Sequence, residues 1–281
     1  MGTVGQALFA GRLARLAREV DDARVAAIAR DAARPVAVTV RGRPGVGRAT
    51  VARALTAAGV VLGDAGDVEL RVIAEVLKPE DRAAITASTL VVQNKADLSR
   101  RLMPGAIPMV AHLAVAQLDD AMLRALAVEP LGFDDMPPAV QALDRFGMAH
   151  AVEAVRSGMD VQRVLRRCSG VDAVVDALGA RIAEAGYRRA RSAVAALEAM
   201  HSPRVADFLR EDDTLLGLMA AAVDVVEAAG MTVDPGDNPA AHLGRAALWD
   251  RYRRGPVNAL HHSCGEDIVR GSLRLWRRSK P

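Results

Sequence analysis

A glycine-rich segment, "VRGRPGVGRAT" at positions 40–50, is the first candidate for chemistry in this chain. It follows a short apolar stretch and opens a helical pattern at Arg48. Glycines let a backbone curl so that several N–H groups face one phosphate, and a helix amino terminus adds the positive end of its dipole. The spacing of Gly42, Gly45 and Gly47 therefore predicts an anion-binding turn.

Two positions in this segment depart from a working phosphate loop. Arg48 stands where such a loop carries its lysine, and Ala49 stands where it carries the hydroxyl that binds magnesium. Thr50 comes one residue later, about 100° further around the helix. The guanidinium of Arg48 can still bind two phosphate oxygens at once. We therefore expect a turn that can hold an anion, and we expect no magnesium site.

A second polar segment, "NKAD" at positions 94–97, directly follows the apolar stretch "TLVVQ". This order after a strand is typical of the guanine-reading loop of GTPases. There the Asp97 carboxylate would accept from guanine N1 and N2, the Lys95 stem would cover the base, and Asn94 would brace the nearby loops. The alternative interpretation is an ordinary polar turn. The predicted nucleotide-binding residues are Gly42, Gly45, Val46, Gly47, Arg48, Ala49, Thr50, Asn94, Lys95 and Asp97, with no catalytic residue and no metal ligand.

The surrounding pattern predicts a small α/β part followed by a large helical part. Strands are expected at 36–40, 68–76, 89–93 and 106–110. Helices are expected at 3–33, 48–58, 78–85, 112–128, 137–157, 160–168, 171–200, 203–230, 239–253 and 257–277.

Composition narrows the class of protein. The chain has 281 residues, of which 51% are hydrophobic and only 3% are aromatic, and its net charge is +3. So few aromatic residues argue against nucleic-acid binding. Cys168 and Cys264 form no disulfide framework, and no signal peptide or membrane-spanning run is visible, so a cytoplasmic location is expected. The basic tail Arg270–Lys280 is a candidate for contact with the anionic inner face of the membrane.

Together with the two loops, several longer segments resemble the bacterial dynamin-like GTPases, in particular the actinobacterial members of this P-loop (TRAFAC-class) family. The similar segments are "VIAEVLKPEDRAAI" with "TLVVQNKADL", then positions 144–178, 187–198 and 249–278. The resemblance implies a GTPase-like α/β domain with a reduced parallel sheet at 35–185 and a helical bundle at 186–281. It also implies that an N-terminal helix at 1–34 packs on the C-terminal helices. GTP or GDP would be the ligand, and the partner would be the protein itself or a related GTPase, bound through helices.

The segment between Thr50 and Val68 departs from that family. It is too short for a switch I threonine, a strand and switch II, and "GDAGD" at 63–67 lacks Asp-x-x-Gly and predicts a tight turn. We therefore expect a degenerate GTPase that binds guanine nucleotide weakly or not at all and acts by assembly. Two alternatives stay open: a slow GTPase completed in trans by a partner, with Arg48 replacing the lysine, and an interaction protein that binds no nucleotide.

Overall fold

The structure is a computed structural model that describes residues 4–86, 89–127, 134 and 138–280. The strands are β1 (Val38–Gly42), β2 (Val68–Ala74), β3 (Leu90–Asn94) and β4 (Ile107–Met109). The helices are α1 (Val4–Val20), α2 (Ala23–Ala33), α3 (Arg48–Ala57), α4 (Pro79–Ala84), α5 (Ala111–Ala114), α6 (Asp120–Ala127), α7 (Pro138–Gln141), α8 (Asp144–Arg156), α9 (Val161–Ser169), α10 (Val171–Glu198), α11 (Pro203–Arg210), α12 (Asp212–Ala228), α13 (Pro239–Arg253) and α14 (Ala259–Arg278).

The chain divides into two compact units. The sheet unit is Ala37–Leu178, and the helical unit combines Met1–Val36 with Gly179–Pro281. The sequence-based boundaries lie at 34/35 and 185/186, whereas the compact units meet at 36/37 and 178/179. An α/β part and a helix-dominated part are therefore both present. Within the described residues, no helix combines the length and the apolar character needed to cross a bilayer.

The sheet unit is built on four parallel strands in the order β1-β2-β3-β4. All four strands were expected, but β1 starts two residues later than the predicted strand 36–40 and continues to Gly42. Val38, Val72 and Val92 are fully buried, as expected for a sheet covered by helices. Because parallel strands end at the same edge of a sheet, the loops after β1 and β3 must lie on one side of the molecule.

The helical unit brings the first two helices against later ones. Its larger apolar cluster combines α1, α2, α10, α11 and α12 through Phe9, Leu13, Val25, Ala29, Val194, Leu197, Phe208 and Leu218. α1 approaches α12 so closely that a Cβ on Gly5 would lie 2.1 Å from the backbone nitrogen of Ala221. Small residues on both helices allow this contact, and any side chain at Gly5 would separate the two helices.

The expectation of a single helix over 3–33 is wrong. α1 ends at Val20, Asp21 has φ 51°, and α2 begins at Ala23. Asp22 is the N-cap of α2, and its carboxylate accepts a hydrogen bond from Arg24 N at 2.8 Å. An aspartate at this position stabilises a helix start, so the Asp-Asp pair interrupts an otherwise continuous apolar pattern. The predicted helices 112–128, 137–157 and 203–230 are likewise each split into two.

Candidate functional site

The glycine-rich loop connects β1 to α3 at the carboxyl edge of the sheet. Gly47 is the N-cap of α3, has φ 83° and offers no side chain to the helix terminus. The first N–H groups of a helix have no intrahelical acceptor, and they carry the positive end of the dipole. An anion at this terminus therefore meets free backbone donors and not a capping side chain.

Asn94 joins the glycine-rich loop to the second polar segment. Its side chain is 4% exposed, its Nδ2 donates to Val46 O at 3.0 Å, and its Oδ1 accepts from Ala111 N at 3.0 Å. A Cβ on Gly47 would lie 2.3 Å from the same Nδ2. Only glycine allows the two segments to approach so closely at this point. The last residue of β3 thus fixes the loop after β1 and the start of α5.

Lys95 makes the second contact between the two segments. Its Nζ donates to Gly45 O at 3.0 Å, and its backbone has φ 56°, in the left-handed region. A lysine in that conformation costs about 1–3 kcal/mol and persists only when the surrounding contacts hold it there. Strain of this kind concentrates at ligand-binding sites, and here it directs the lysine back over the glycine-rich loop.

A pocket of about 400 Å³ lies at this junction. Its lining residues are Arg43, Pro44, Gly45, Gly47, Arg48, Ala49 and Lys95. Three of these carry a positive charge, and none carries a negative one. The Arg48 guanidinium, the Lys95 ammonium group and the helix amino terminus favour a phosphate-like anion, whereas the Arg43 guanidinium is ion-paired with Asp81.

Asp97 lies beyond Lys95 in a short 3-10 turn, Ala96–Leu98. Its Oδ1 is buried and has no hydrogen-bond partner among the described residues. The large majority of buried side-chain polar atoms are hydrogen-bonded, so an unpaired carboxylate oxygen needs an explanation. A ligand that donates N–H groups toward this carboxylate would satisfy it.

The residues present do not fit a magnesium ion. Ala49 offers no oxygen, and Thr50 continues the helix with its N–H bonded to Gly47 O at 3.0 Å. In the described part of the chain, no group of three or more His, Cys, Asp or Glu residues could hold a metal ion. No step that needs a metal-bound phosphate can be derived for this site.

The "GDAGD" segment is a tight turn bound to β1. Thr39 Oγ1 donates to Gly63 O at 2.8 Å and accepts from Gly66 N. Asp67 Oδ2 accepts from Ala37 N at 3.0 Å. The sequence prediction of a turn leading into β2 is therefore confirmed. The connection from α3 to β2 is held along its length and contains no strand of its own.

Two residues that sequence reasoning missed support the loops. Asp81 is fully buried in α4, and its Oδ2 accepts from Arg43 Nε at 2.8 Å, which anchors the glycine-rich loop. Gln93 is 1% exposed, donates to Ser99 Oγ and accepts from Met103 N, so it shapes the loop after β3. The sequence pattern places Asp81 in a predicted helix and Gln93 in a predicted strand, and it indicates neither contact.

The basic tail is largely paired with acidic side chains. Arg270 contacts Glu266 at 2.7 Å. Arg274 contacts Asp212 at 3.3 Å, and Arg278 contacts Asp213 at 3.6 Å. Three of its five basic residues thus already have an acidic neighbour. This pairing reduces the positive charge that the tail can offer to an anionic surface.

Comparison of the chain with protein-family models, curated proteins and solved structures gives no significant match. The sheet unit is a parallel α/β fold with a glycine-rich turn and a second polar loop at one edge of the sheet.

Proposed function

We propose that the chain is a GTPase-related protein, similar to the dynamin-like GTPases, that binds a guanine nucleotide at the junction of its two loops without hydrolysing it alone. The observation that carries this proposal is the contact between the loops. Asn94 donates to Val46 O and Lys95 donates to Gly45 O, so a phosphate-type turn and a guanine-type turn are held against each other.

Different residues would hold the two ends of the nucleotide. The α3 amino terminus with Arg48 would bind the phosphates, because both line a pocket whose lining residues include no acid. Asp97 would accept hydrogen bonds from guanine N1 and N2, which adenine cannot supply. The unpaired Oδ1 of Asp97 supports this role.

Hydrolysis by the chain alone is not part of this proposal. Phosphoryl transfer depends on charge stabilisation by a metal, a lysine and switch residues. Here Ala49 replaces the metal-binding hydroxyl, Arg48 replaces the lysine, and a tight turn replaces the switch segments. The nucleotide would therefore be a bound ligand and not a substrate, and the protein would act through assembly with itself or with an active GTPase.

Isothermal titration with GDP, ADP and xanthosine diphosphate tests the proposal, each with magnesium and with EDTA. We expect GDP to bind at least about tenfold more tightly than ADP, because adenine leaves the buried carboxylate unpaired. Magnesium should change the GDP affinity little.

Two variants sharpen this experiment. Asp97→Asn should lose GDP affinity and gain affinity for xanthosine diphosphate, whose N1–C2 edge matches an amide. Asp120→Asn, an exposed change in the same unit, is the matched control and should behave as the wild type. Equal affinity for GDP and ADP, or an Asp97→Asn variant that still prefers GDP, would refute guanine recognition. Robust GTP turnover by the isolated chain would refute the absence of hydrolysis.

A further inference from the structure

The strand β1 forms one edge of the sheet, and only its first residue is paired on the outer side. Val38 N donates to Val61 O at 2.9 Å, and Val38 O accepts from Gly63 N at 3.1 Å. Leu62 thereby forms a single parallel bridge with Val38. After Gly63 the chain leaves the edge in the tight turn described above.

The rest of this edge presents unpaired backbone groups. In a parallel sheet, alternate residues direct both N–H and C=O to opposite neighbours. Since the backbone N–H and C=O of Val38 point away from β2, those of Val40 and Gly42 also point away from it, while those of Thr39 and Arg41 point toward β2. Among the described residues, no backbone group outside the β1–β2 ladder is hydrogen-bonded to the backbone of Val40. An open edge of this kind is a template for another strand.

A groove of about 480 Å³ runs along this open edge. Val40, Ala49, Ala52 and Leu62 contribute small or apolar surfaces to its wall, which leave room for an extended chain. Its charged lining residues are Arg41, Arg48 and Asp64, so positive charge predominates.

We propose that this groove binds an extended, acidic segment of another protein, which adds to the sheet as a strand beside Val40 and Gly42. Backbone hydrogen bonds to the open edge would provide affinity, and carboxylates facing Arg41 and Arg48 would provide selectivity. A second copy of this chain is disfavoured, since pairing two β1 edges would bring the arginines of both copies together. This inference does not depend on nucleotide binding.

Arg48 connects this groove to the phosphate pocket, because it lines both. An acidic side chain that pairs with Arg48 in the groove competes with a phosphate for the same guanidinium. The partner segment and an anion in the phosphate pocket should therefore weaken each other's binding.

Hydrogen exchange followed by NMR tests whether the edge is open in the free protein. The Val40 amide should exchange at least about tenfold faster than the amides of Thr39 and Arg41, which face β2. If the Val40 amide is as well protected as its two neighbours, the edge is already covered and the proposal is wrong.

Peptide titration tests the occupant. The probe is a fluorescein-labelled hexapeptide of alternating valine and glutamate, compared with its lysine counterpart and with a copy N-methylated at alternate residues. The acidic peptide should protect the Val40 amide and bind at least about tenfold more tightly than either comparison peptide. Equal affinity for all three would exclude both strand addition and charge selection, and so would overturn the proposal.

A pair of variants on the groove wall separates charge from shape. Ala52→Glu and Ala52→Lys add similar bulk with opposite charge to the helix wall of the groove. Ala52→Glu should weaken binding of the acidic peptide by about tenfold relative to Ala52→Lys. Circular dichroism checks that both variants fold, and identical peptide affinities in two folded variants would contradict the proposed site.

Discussion

Replacing Gly47 by alanine tests the contact between the two loops, and Gly45 provides its matched control. Both glycines have left-handed backbones, with φ 83° and φ 86°. A Cβ at Gly45 would meet no atom within 4 Å, whereas a Cβ at Gly47 would lie 2.3 Å from Asn94 Nδ2. The two substitutions therefore share backbone strain and differ in one contact.

The magnitudes follow from these contacts. Alanine in a left-handed conformation costs about 1–2 kcal/mol, which is the whole expected effect of Gly45→Ala. Gly47→Ala must also displace Asn94, which leaves Val46 O or Ala111 N without its partner in a buried site. An unpaired buried group costs about 1–3 kcal/mol. Gly47→Ala should therefore lower the stability of the sheet unit by about 1–3 kcal/mol more than Gly45→Ala.

The assay must report on the sheet unit itself. Trp249, Trp276, Tyr187 and Tyr252 all lie in the helical unit, so intrinsic fluorescence does not follow unfolding of the sheet. Native-state hydrogen exchange of β1 and β3, measured by mass spectrometry at increasing urea, gives the free energy directly.

A double-mutant cycle completes this test. In an Asn94→Ala background the alanine at position 47 no longer meets an amide, so Gly47→Ala should cost only as much as Gly45→Ala. Equal destabilisation by both glycine substitutions in the wild-type background would refute the proposed contact. So would an undiminished cost of Gly47→Ala when Asn94 is absent.

Three further predictions concern the helical unit and the cysteines. Burial raises the pKa of the Cys264 thiol to about 12. Iodoacetamide should therefore alkylate the half-buried Cys168 first and Cys264 only when the helical unit unfolds. Peptide mass spectrometry measures the order of labelling. Tyr187→Phe removes the 2.6 Å bond to the buried Asp267 carboxylate and should cost about 1–3 kcal/mol, measured by urea unfolding followed through tryptophan fluorescence. Burial also raises the pKa of Asp267, so the folded state keeps this proton to higher pH than the unfolded chain does, and the contribution of Asp267 to stability should fall as pH rises above about 4. The unfolding free energy of wild type minus that of Asp267→Asn should decrease over that range, and a difference that rises with pH would contradict the sign.

The sequence predicted the strands of the sheet unit and the loops that follow β1 and β3 well because their signals are local. Apolar strands followed at once by glycine or by Asn-Lys-x-Asp identify both the strands and the loops after them. The tight turn at 63–67 was also predictable, since the segment is too short for anything larger. The break at Asp21 was missed because the apolar pattern continues across it, and only the capping role of Asp22 reveals it.

Other features depend on residues distant in sequence and could not be derived locally. The pairing of Arg43 with Asp81 spans 38 positions, and nothing in either segment indicates the other. The hydrogen bond from Ala111 N to Asn94 Oδ1 likewise depends on the pairing of β4 with β3, which the local sequence does not specify. The open edge beyond Val38 requires the strand order, which the apolar pattern does not specify.

The turn that Thr39 holds against β1 has a consequence for signalling. A molecular timer needs a segment with two alternative arrangements, and a ligand shifts an equilibrium only between states that exist. In this sheet unit the segment after α3 is held by hydrogen bonds to Thr39 and Asp67, so the nucleotide proposed above would not find a loose switch segment there. The nucleotide would only stabilise the one folded state, by an amount set by the nucleotide concentration relative to the Kd. Such a protein would sense how much ligand is present and not how long ago it was bound.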